Sequence, residues 1–239
     1  MSDPAAYGDT WAPIYDAAHT HLDPTSAVEA LAELAGTGKA LELGIGTGRV
    51  ALPLAARGVA VHGIDASQAM IDRMRAKPGG TAIPVTLGDF TDVAVDGEYA
   101  VIYIVFNTFY GLPTQTAQVA CLRNVAARLA PGGVFVFEGF VPDPARFTAN
   151  QRVQLNRVEP TVLDLLITRH DPVEQRVSCQ RIVAGPQGMK SFPVEIRYAW
   201  PSELDLMAQL AGLRLRERWG DWQRGPYTGS GAHISIYER

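Results

Sequence analysis

Hydrophobic and polar positions divide the chain near residue 141. Before it, short apolar runs alternate with stretches of helical period. "ALEL" (40–43), "VAVHGID" (59–65), "AIPVTLGD" (82–89), "YAVIYIVF" (99–106) and "VFVFEGF" (134–140) read as strands. The fourth is apolar throughout, as a central parallel strand covered on both faces should be. Between them, "RVALPLAARG" (49–58), "SQAMIDRMRAK" (67–77) and "QTAQVACLRNVAARLAPGG" (115–133) read as helices, with apolar residues on one stripe. Pro53 must sit in the first turns of its helix, Ser67 is the expected N-cap of the next, and Pro131-Gly132-Gly133 are expected to end the third. Strands alternating with helices predict βαβ units and a parallel sheet.

Beyond 141 the pattern changes. "VQLNRV", "TVLDLLITRHD", "QRVSCQRIVAG" and "SFPVEIRYAW" are β-rich and separated by turn signals at Asp171-Pro172, Gly185-Pro186 and Gly188. They predict antiparallel strands inserted into the α/β unit. "PSELDLMAQLAG" (201–212) returns to helix, with Ser202 as the expected cap, and "LRLRERWG" and "HISIYER" read as two final strands. The expected fold is α/β: a Rossmann-like, mostly parallel, doubly wound sheet of seven strands with an antiparallel β insertion between strands five and six. Residues 1–140 and 200–239 form the main domain of this reading, and 141–199 the insertion.

Composition narrows the function. The 239 residues are 47% hydrophobic and 19% charged, with a formal net charge of -4. No dense Lys/Arg run is present, so the electrostatic footprint of a nucleic-acid binder is missing. Cys121 and Cys179 are far apart and have neither metal-ligand nor disulfide-framework spacing; they are expected to be buried thiols in a reducing compartment. The N-terminal "MSDPAAYGDTWAP" lacks a basic segment followed by an apolar one, so no signal peptide is expected. The apolar runs fall short of the ~20 residues of a membrane helix. A soluble, cytoplasmic protein is the expectation.

The chemistry concentrates at "LELGIGTG" (41–48), a strand running into a turn with glycine at 44, 46 and 48. Glycine lets backbone approach a ligand closely, and amides opening the following helix attract polar or anionic groups. Asp65 ends the next strand, where an acid accepts hydrogen bonds from ribose hydroxyls. Arg49 stands where the third glycine of a dinucleotide G-x-G-x-x-G would fall, which argues against a nicotinamide oxidoreductase.

With "GDF" (88–90) at the end of strand three and "RLAPGGVFVFE" through strand five, the chain resembles the class I S-adenosylmethionine-dependent methyltransferases over essentially its full length. The resemblance implies S-adenosylmethionine as cofactor and S-adenosylhomocysteine as product. It places Glu42 near the donor's amino group, Gly44, Gly46 and Gly48 beneath the donor, and Asp65 on the ribose in "GIDAS", with Ala66, Ser67 and Met70 alongside. Asp89, after Gly88, would bind the adenine amino group, and Phe90 would flank the ring. "IVFNTFY" would lie next to the donor methyl, bringing Val105 and Asn107 to the site. Tyr15-Asp16 in "APIYDAAH" matches a pair that closes over the methionine end, with Tyr7 as a second contact.

Methyl transfer is an in-line displacement that requires alignment in a dry site, and an acceptor carrying a proton needs a base within reach. Candidates are His19, beside Tyr15 on the lid helix, Asn107 at the end of strand four, and Glu138 at the end of strand five. His21 shares the lid; His170 and His233 are expected to be structural. No metal-ligand set emerges. Tyr110, Trp222 and Tyr227 fall in loops and are the preferred acceptor contacts. The insertion's layout resembles amino-sugar N-methyltransferases and small-molecule methyltransferases of secondary metabolism. The chain's ends, "SDPAAYGDTW…YD" and "YAWPSELDLMAQLAGLRLRERWG…PYT", resemble cypemycin-type peptide α-N-methyltransferases. A small-molecule acceptor is therefore expected, with no nucleic-acid or membrane partner; a peptide or other macromolecular acceptor stays open. So do the methylated atom, the need for a base, and a homodimer.

Overall fold

Strand β1 (Ala40–Leu43) is buried at every position, because the apolar run "ALEL" lies mid-sheet with cover on both faces. The computed structural model describes residues 3–239; Met1 and Ser2, which the sequence reading includes in the N-terminal segment, lie outside it. Three helices precede β1: α1 (Ala6–Trp11), α2 (Tyr15–Ala18) and α3 (Thr25–Ala35), the last not marked in the sequence reading. Then follow α4 (Ala51–Ala56), β2 (Val61–Asp65), α5 (Gln68–Arg75), β3 (Val85–Leu87), β4 (Tyr99–Ile104), α6 (Gln115–Arg128) and β5 (Leu129–Phe140). After the inserted strands come α7 (Pro201–Leu210), β10 (Arg214–Trp219) and β11 (Ala232–Glu238).

The main sheet has seven strands in the order β10-β11-β5-β4-β1-β2-β3. Its β1–β5 pairings are parallel, and β11 joins antiparallel to β5 and β10. The chain runs outward from β1 to β3, then returns to β4 on β1's other side. That reversal leaves a crevice beyond the carboxyl ends of β1 and β4, where open α/β sheets take ligands. The inserted strands β6 (Gln151–Glu159), β7 (Val162–Asp171), β8 (Arg176–Gly185) and β9 (Gly188–Arg197) make a separate antiparallel meander.

Local chemistry sets most boundaries. Ser67 caps α5 by accepting from the Met70 amide at 3.2 Å, as expected. Two expectations fail. The helix begun at 115 ends at Arg128, so Leu129 through Gly133 belong to β5. Helix α7 has no side-chain cap; Pro201 occupies its first turn, where a missing N–H costs nothing, and Trp200 takes the cap position.

The insertion is tied down at one end by a buried network. Arg197 donates to Gln118 Oε1 (2.7 Å), Glu203 Oε1 (2.7 Å) and Gln175 Oε1 (3.1 Å), linking β9 to α6 and α7. Nearer the cleft it rests on the N-terminal segment, with Phe192 5.2 Å from Trp11 between ring centroids.

Candidate active site

The turn after β1 closes because all three glycines adopt positive φ: +73° at Gly44, +56° at Gly46 and +76° at Gly48. They serve different ends. A Cβ on Gly44 would lie 2.6 Å from Thr108 Cγ2, and one on Gly48 2.6 Å from Met74 Cγ, so those two allow close packing. A Cβ on Gly46 would meet nothing nearer than 3.9 Å, leaving bare backbone facing the crevice. There a small cavity of about 30 Å³ is lined by Tyr15, Glu42, Gly44, Gly46, Thr47, Arg49, Val105, Phe106 and Thr108.

Asp65 braces the turn. Its carboxylate accepts from the Gly46 amide (2.7 Å) and the Ser67 amide (2.9 Å). Burial pushes its pKa up, and these donors hold it down in part. Gly88 donates its amide to the Asp65 carbonyl at 2.9 Å, which sets the end of β3 beside β2. Asp89 turns Oδ1 onto the Thr91 amide and hydroxyl (2.8 and 2.7 Å). Phe90 reaches within 4.0 Å of the Cβ position on Gly44. Ala66 is half-buried. Met70 is buried in a cluster with Trp11 and Phe192, where it packs the N-terminal segment.

That segment is latched over the turn. Asp9 accepts from Ser67 Oγ at 2.6 Å. Asp16 accepts from Thr47 Oγ1 (2.6 Å) and Lys77 Nζ (2.9 Å), and Lys77 also donates to the Thr47 carbonyl. Arg73 reaches the Pro13 carbonyl. Tyr15 is thereby held against the cavity, while Tyr7 stacks on Trp11 and is absent from the cavity lining.

A carboxyl and a guanidinium lie together in this cavity. Glu42 is 3% exposed, and its Oε2 accepts from the Tyr103 hydroxyl at 3.0 Å. Burial pushes its pKa up to about 8, against the hydrogen bond and the Arg49 charge. Arg49 lies over the Phe106 ring, 5.3 Å from the centroid, and its charge pulls against the rise that burial imposes on Tyr15. A carboxyl wanting a cation and a guanidinium wanting an anion fit the amino-acid end of a sulfonium donor. Bare backbone at Gly46 and the free Oδ2 of Asp89 leave room for the rest. Arg49 lines this cavity and is the candidate that sequence reasoning missed. Its signal was present as a basic side chain in the first turn after the glycines.

His19 is held at the cavity's edge. Its Nδ1 bonds to the Tyr15 carbonyl at 2.8 Å. A carbonyl only accepts, so the proton sits on Nδ1 and Nε2 carries the lone pair. The ring meets Phe106 edge-on at 5.2 Å. Burial, assisted by the Arg49 charge, lowers its pKa. His19 is therefore neutral at pH 7, with Nε2 unprotonated.

The other predicted site residues take supporting positions. Glu138 has both oxygens engaged, by the Phe106 amide (2.8 Å) and Trp222 Nε1 (2.9 Å). It anchors the turn after β4; the general-base expectation is replaced by positioning. Asn107, with φ +63°, accepts the Phe140 amide on Oδ1 at 2.8 Å and ties β4's turn to β5. Phe106 beside it has φ +55°, so two consecutive non-glycine residues hold this conformation at the cavity wall. Tyr110 corrects the acceptor reading: it is fully buried, and its hydroxyl donates to the Phe140 and Ala199 carbonyls (3.0 and 3.2 Å). Trp222 holds Glu138, and Tyr227 lies 5.9 Å from His233; neither lines the cavity.

Among known proteins, residues 40–133 match the family described as a methyltransferase domain. The chain is 30% identical over 235 residues, 95% of each sequence, to the cypemycin N-terminal methyltransferase of a Streptomyces species. The solved structure of the CcbJ methyltransferase from Streptomyces caelestis superposes with a TM-score of 0.91 at 37% identity, covering 99% of this chain and 98% of that one. CalS10, an amino pentose methyltransferase from Micromonospora echinaspora, has a TM-score of 0.69 at 22% identity over 93% of this chain and 96% of its own, a likeness of fold alone.

Proposed function

The chain belongs to the S-adenosylmethionine-dependent methyltransferases, and from that premise we propose that it methylates an amine nitrogen on a small-molecule acceptor of secondary metabolism. S-adenosylmethionine supplies an electrophilic methyl group and leaves as S-adenosylhomocysteine. Glu42 and Arg49 hold the donor's ammonium and carboxylate, Asp65 its ribose diol, and Asp89 and Phe90 its adenine. The latched segment and Phe106 exclude water, so the acceptor approaches in a dry cleft.

An ammonium has no lone pair, and one proton must leave before attack. His19 takes it at Nε2, and the Tyr15 carbonyl holds the imidazolium that forms through Nδ1–H. The observation that carries the reading is this single tautomer, locked with its free nitrogen beside the wall of the donor cavity. The relative named as the cypemycin N-terminal methyltransferase is consistent with an amine. We read 141–199 as the acceptor cover, packed on the catalytic domain of 1–140 and 200–239. A cytoplasmic setting fits two free thiols, and no helix among the described residues is long and apolar enough to cross a membrane.

The test is methyl transfer from S-adenosylmethionine to a panel of small primary and secondary amines, alcohols and peptides with a free α-amine. His19→Asn should lower kcat/KM for the best amine about 100-fold near pH 7 with S-adenosylhomocysteine affinity unchanged. The loss should shrink at high pH, where the amine is already neutral. An alcohol as best acceptor, or an unaltered rate in His19→Asn, would overturn the reading. Preference for peptides over small amines would replace the small-molecule acceptor with a peptide α-amine.

A further inference from the structure

We infer that Asn124, on α6 and outside the donor cavity, is a positioning residue that makes the donor site selective for the amino group of adenine, by fixing the turn that carries Asp89. This role rests on Asp89 as the contact for that amino group, the reading proposed for the donor site. The turn runs from Asp89 to Asp92 and is closed by the Asp92 amide on the Asp89 carbonyl at 3.3 Å. Thr91 turns both of its donors onto one oxygen of Asp89, its amide and hydroxyl reaching Oδ1 at 2.8 and 2.7 Å. This Asx-turn sets the carboxylate's rotamer and leaves Oδ2 without a donor among the described residues. Phe90, between them, reaches within 4.0 Å of the Cβ position on Gly44, so the turn borders the donor's glycines.

Helix α6 holds this turn from behind. Asn124 Nδ2 donates to the Thr91 carbonyl at 2.8 Å, and Cys121 Sγ to the Phe90 carbonyl at 3.7 Å. Residues 121 and 124 are neighbours on the helix surface, so they meet consecutive peptide groups. Each of those groups is held at both ends. The 90–91 peptide gives its carbonyl to Cys121 and its amide to Asp89 Oδ1. The 91–92 peptide gives its carbonyl to Asn124 and its amide to the Asp89 carbonyl. Cys121 is fully buried; burial, with the Asp89 charge, raises its pKa and keeps the thiol protonated as a donor. A thiol donates weakly, so the Asn124 amide is the stronger hold. The backbone just beyond is strained: Val93, β-branched and 1% exposed, has φ +44°. It packs in one core cluster with Cys121, Leu122 and Val125 of α6. Such a conformation persists only where its surroundings over-determine it, and it gathers at ligand clamps. Asn124 itself is half-buried and absent from the cavity lining, so it acts through the turn. Without its amide the 91–92 peptide is free to rotate, the turn opens at the Asp89 carbonyl, and Oδ2 swings off the adenine.

Calorimetric titration of the full chain with S-adenosylhomocysteine and with S-inosylhomocysteine tests this. The second ligand carries a carbonyl oxygen in place of the adenine amino group and offers Asp89 no donor there. The native protein should prefer the adenosyl ligand about 100-fold. Asn124→Asp keeps the side chain's shape and puts an acceptor where the donor was. It should weaken S-adenosylhomocysteine about tenfold and leave S-inosylhomocysteine unchanged, so the preference falls to about tenfold. In turnover the donor KM should rise about tenfold, with kcat at saturating donor within about twofold of native. Equal weakening of both ligands, which a merely structural role predicts, would overturn the assignment, as would an unchanged preference. A native protein without preference would overturn the reading of Asp89, and the role of Asn124 with it. Should circular dichroism show Asn124→Asp unfolded, the milder Asn124→Ala, which leaves the Thr91 carbonyl to water, decides with the same two ligands.

Discussion

Glu42 on the main sheet and Asp164 on the inserted sheet are each only 3% exposed, yet deep burial dominates the pKa of the first and an ion pair that of the second. Asp164 receives Arg181 at both oxygens, with Nη2 at 2.6 Å, and that hydrogen-bonded pair holds its pKa below the usual carboxylate range. Glu42 has the Tyr103 phenol and the Ala51 amide as donors but no ion pair, and burial drives its pKa to about 8. A satisfied carboxylate serves the fold; an unsatisfied one in a cavity awaits a cation. The two sheets differ in the same way. The inserted sheet settles its inner polar groups among themselves, whereas the main sheet and the turn after β1 leave Glu42 and Arg49 facing the cavity.

The sharpest break removes one member of a settled group. Arg197→Ala removes a charged donor from Glu203, Gln118 and Gln175, and should cost about 1–3 kcal/mol in urea unfolding with little effect on S-adenosylhomocysteine affinity. Asp65→Ala should act the other way, weakening S-adenosylhomocysteine binding about 100-fold by calorimetry, because the turn loses its brace along with the ribose contact.

Titration separates the two carboxylates. The folded pKa of Glu42, about 8, lies above its unfolded value near 4.5. Its contribution to stability is thus complete below pH 4.5 and lost as pH rises towards 8. Asp164 has a depressed folded pKa, so its contribution is present above its unfolded value and lost as pH falls. Glu42→Gln should flatten the alkaline side of the ligand-free stability profile between pH 5 and 8, and Asp164→Asn the acid side. Binding of S-adenosylhomocysteine at pH 7 should release a proton from Glu42. That release is read as a dependence of calorimetric heat on buffer ionisation enthalpy, and it should vanish in Glu42→Gln.

The smallest effect tests the reassigned tyrosine. Tyr110→Phe loses two hydrogen bonds to carbonyls and should cost about 1–2 kcal/mol of stability while leaving the acceptor KM unchanged.

Much of this was legible in the chain. The four inserted strands, the glycine turn, the Ser67 cap and Asp65 at the end of β2 follow from period and turn chemistry, which act over a few residues. Where reading failed, a distant contact had intervened. Helical period ran on past Arg128, but pairing of Leu129 with Tyr99 drew that segment into β5. Tyr110 looked like a loop residue open to an acceptor; a short 3₁₀ turn over Thr108–Gly111 swings its ring under Phe140 instead. Glu138 looked like a base at a strand end, and Trp222, 84 residues later, occupies one of its oxygens.

By itself, the sequence determined the doubly wound sheet, the glycine turn after β1 and the antiparallel strands of the insertion, because hydrophobic period and glycine conformation are properties of short segments. The tertiary structure decided which buried carboxyl is charged, which nitrogen of His19 is free and which face of the inserted sheet stays exposed. Those depend on desolvation and hydrogen bonding between residues remote in sequence, and no local pattern encodes the distance between them.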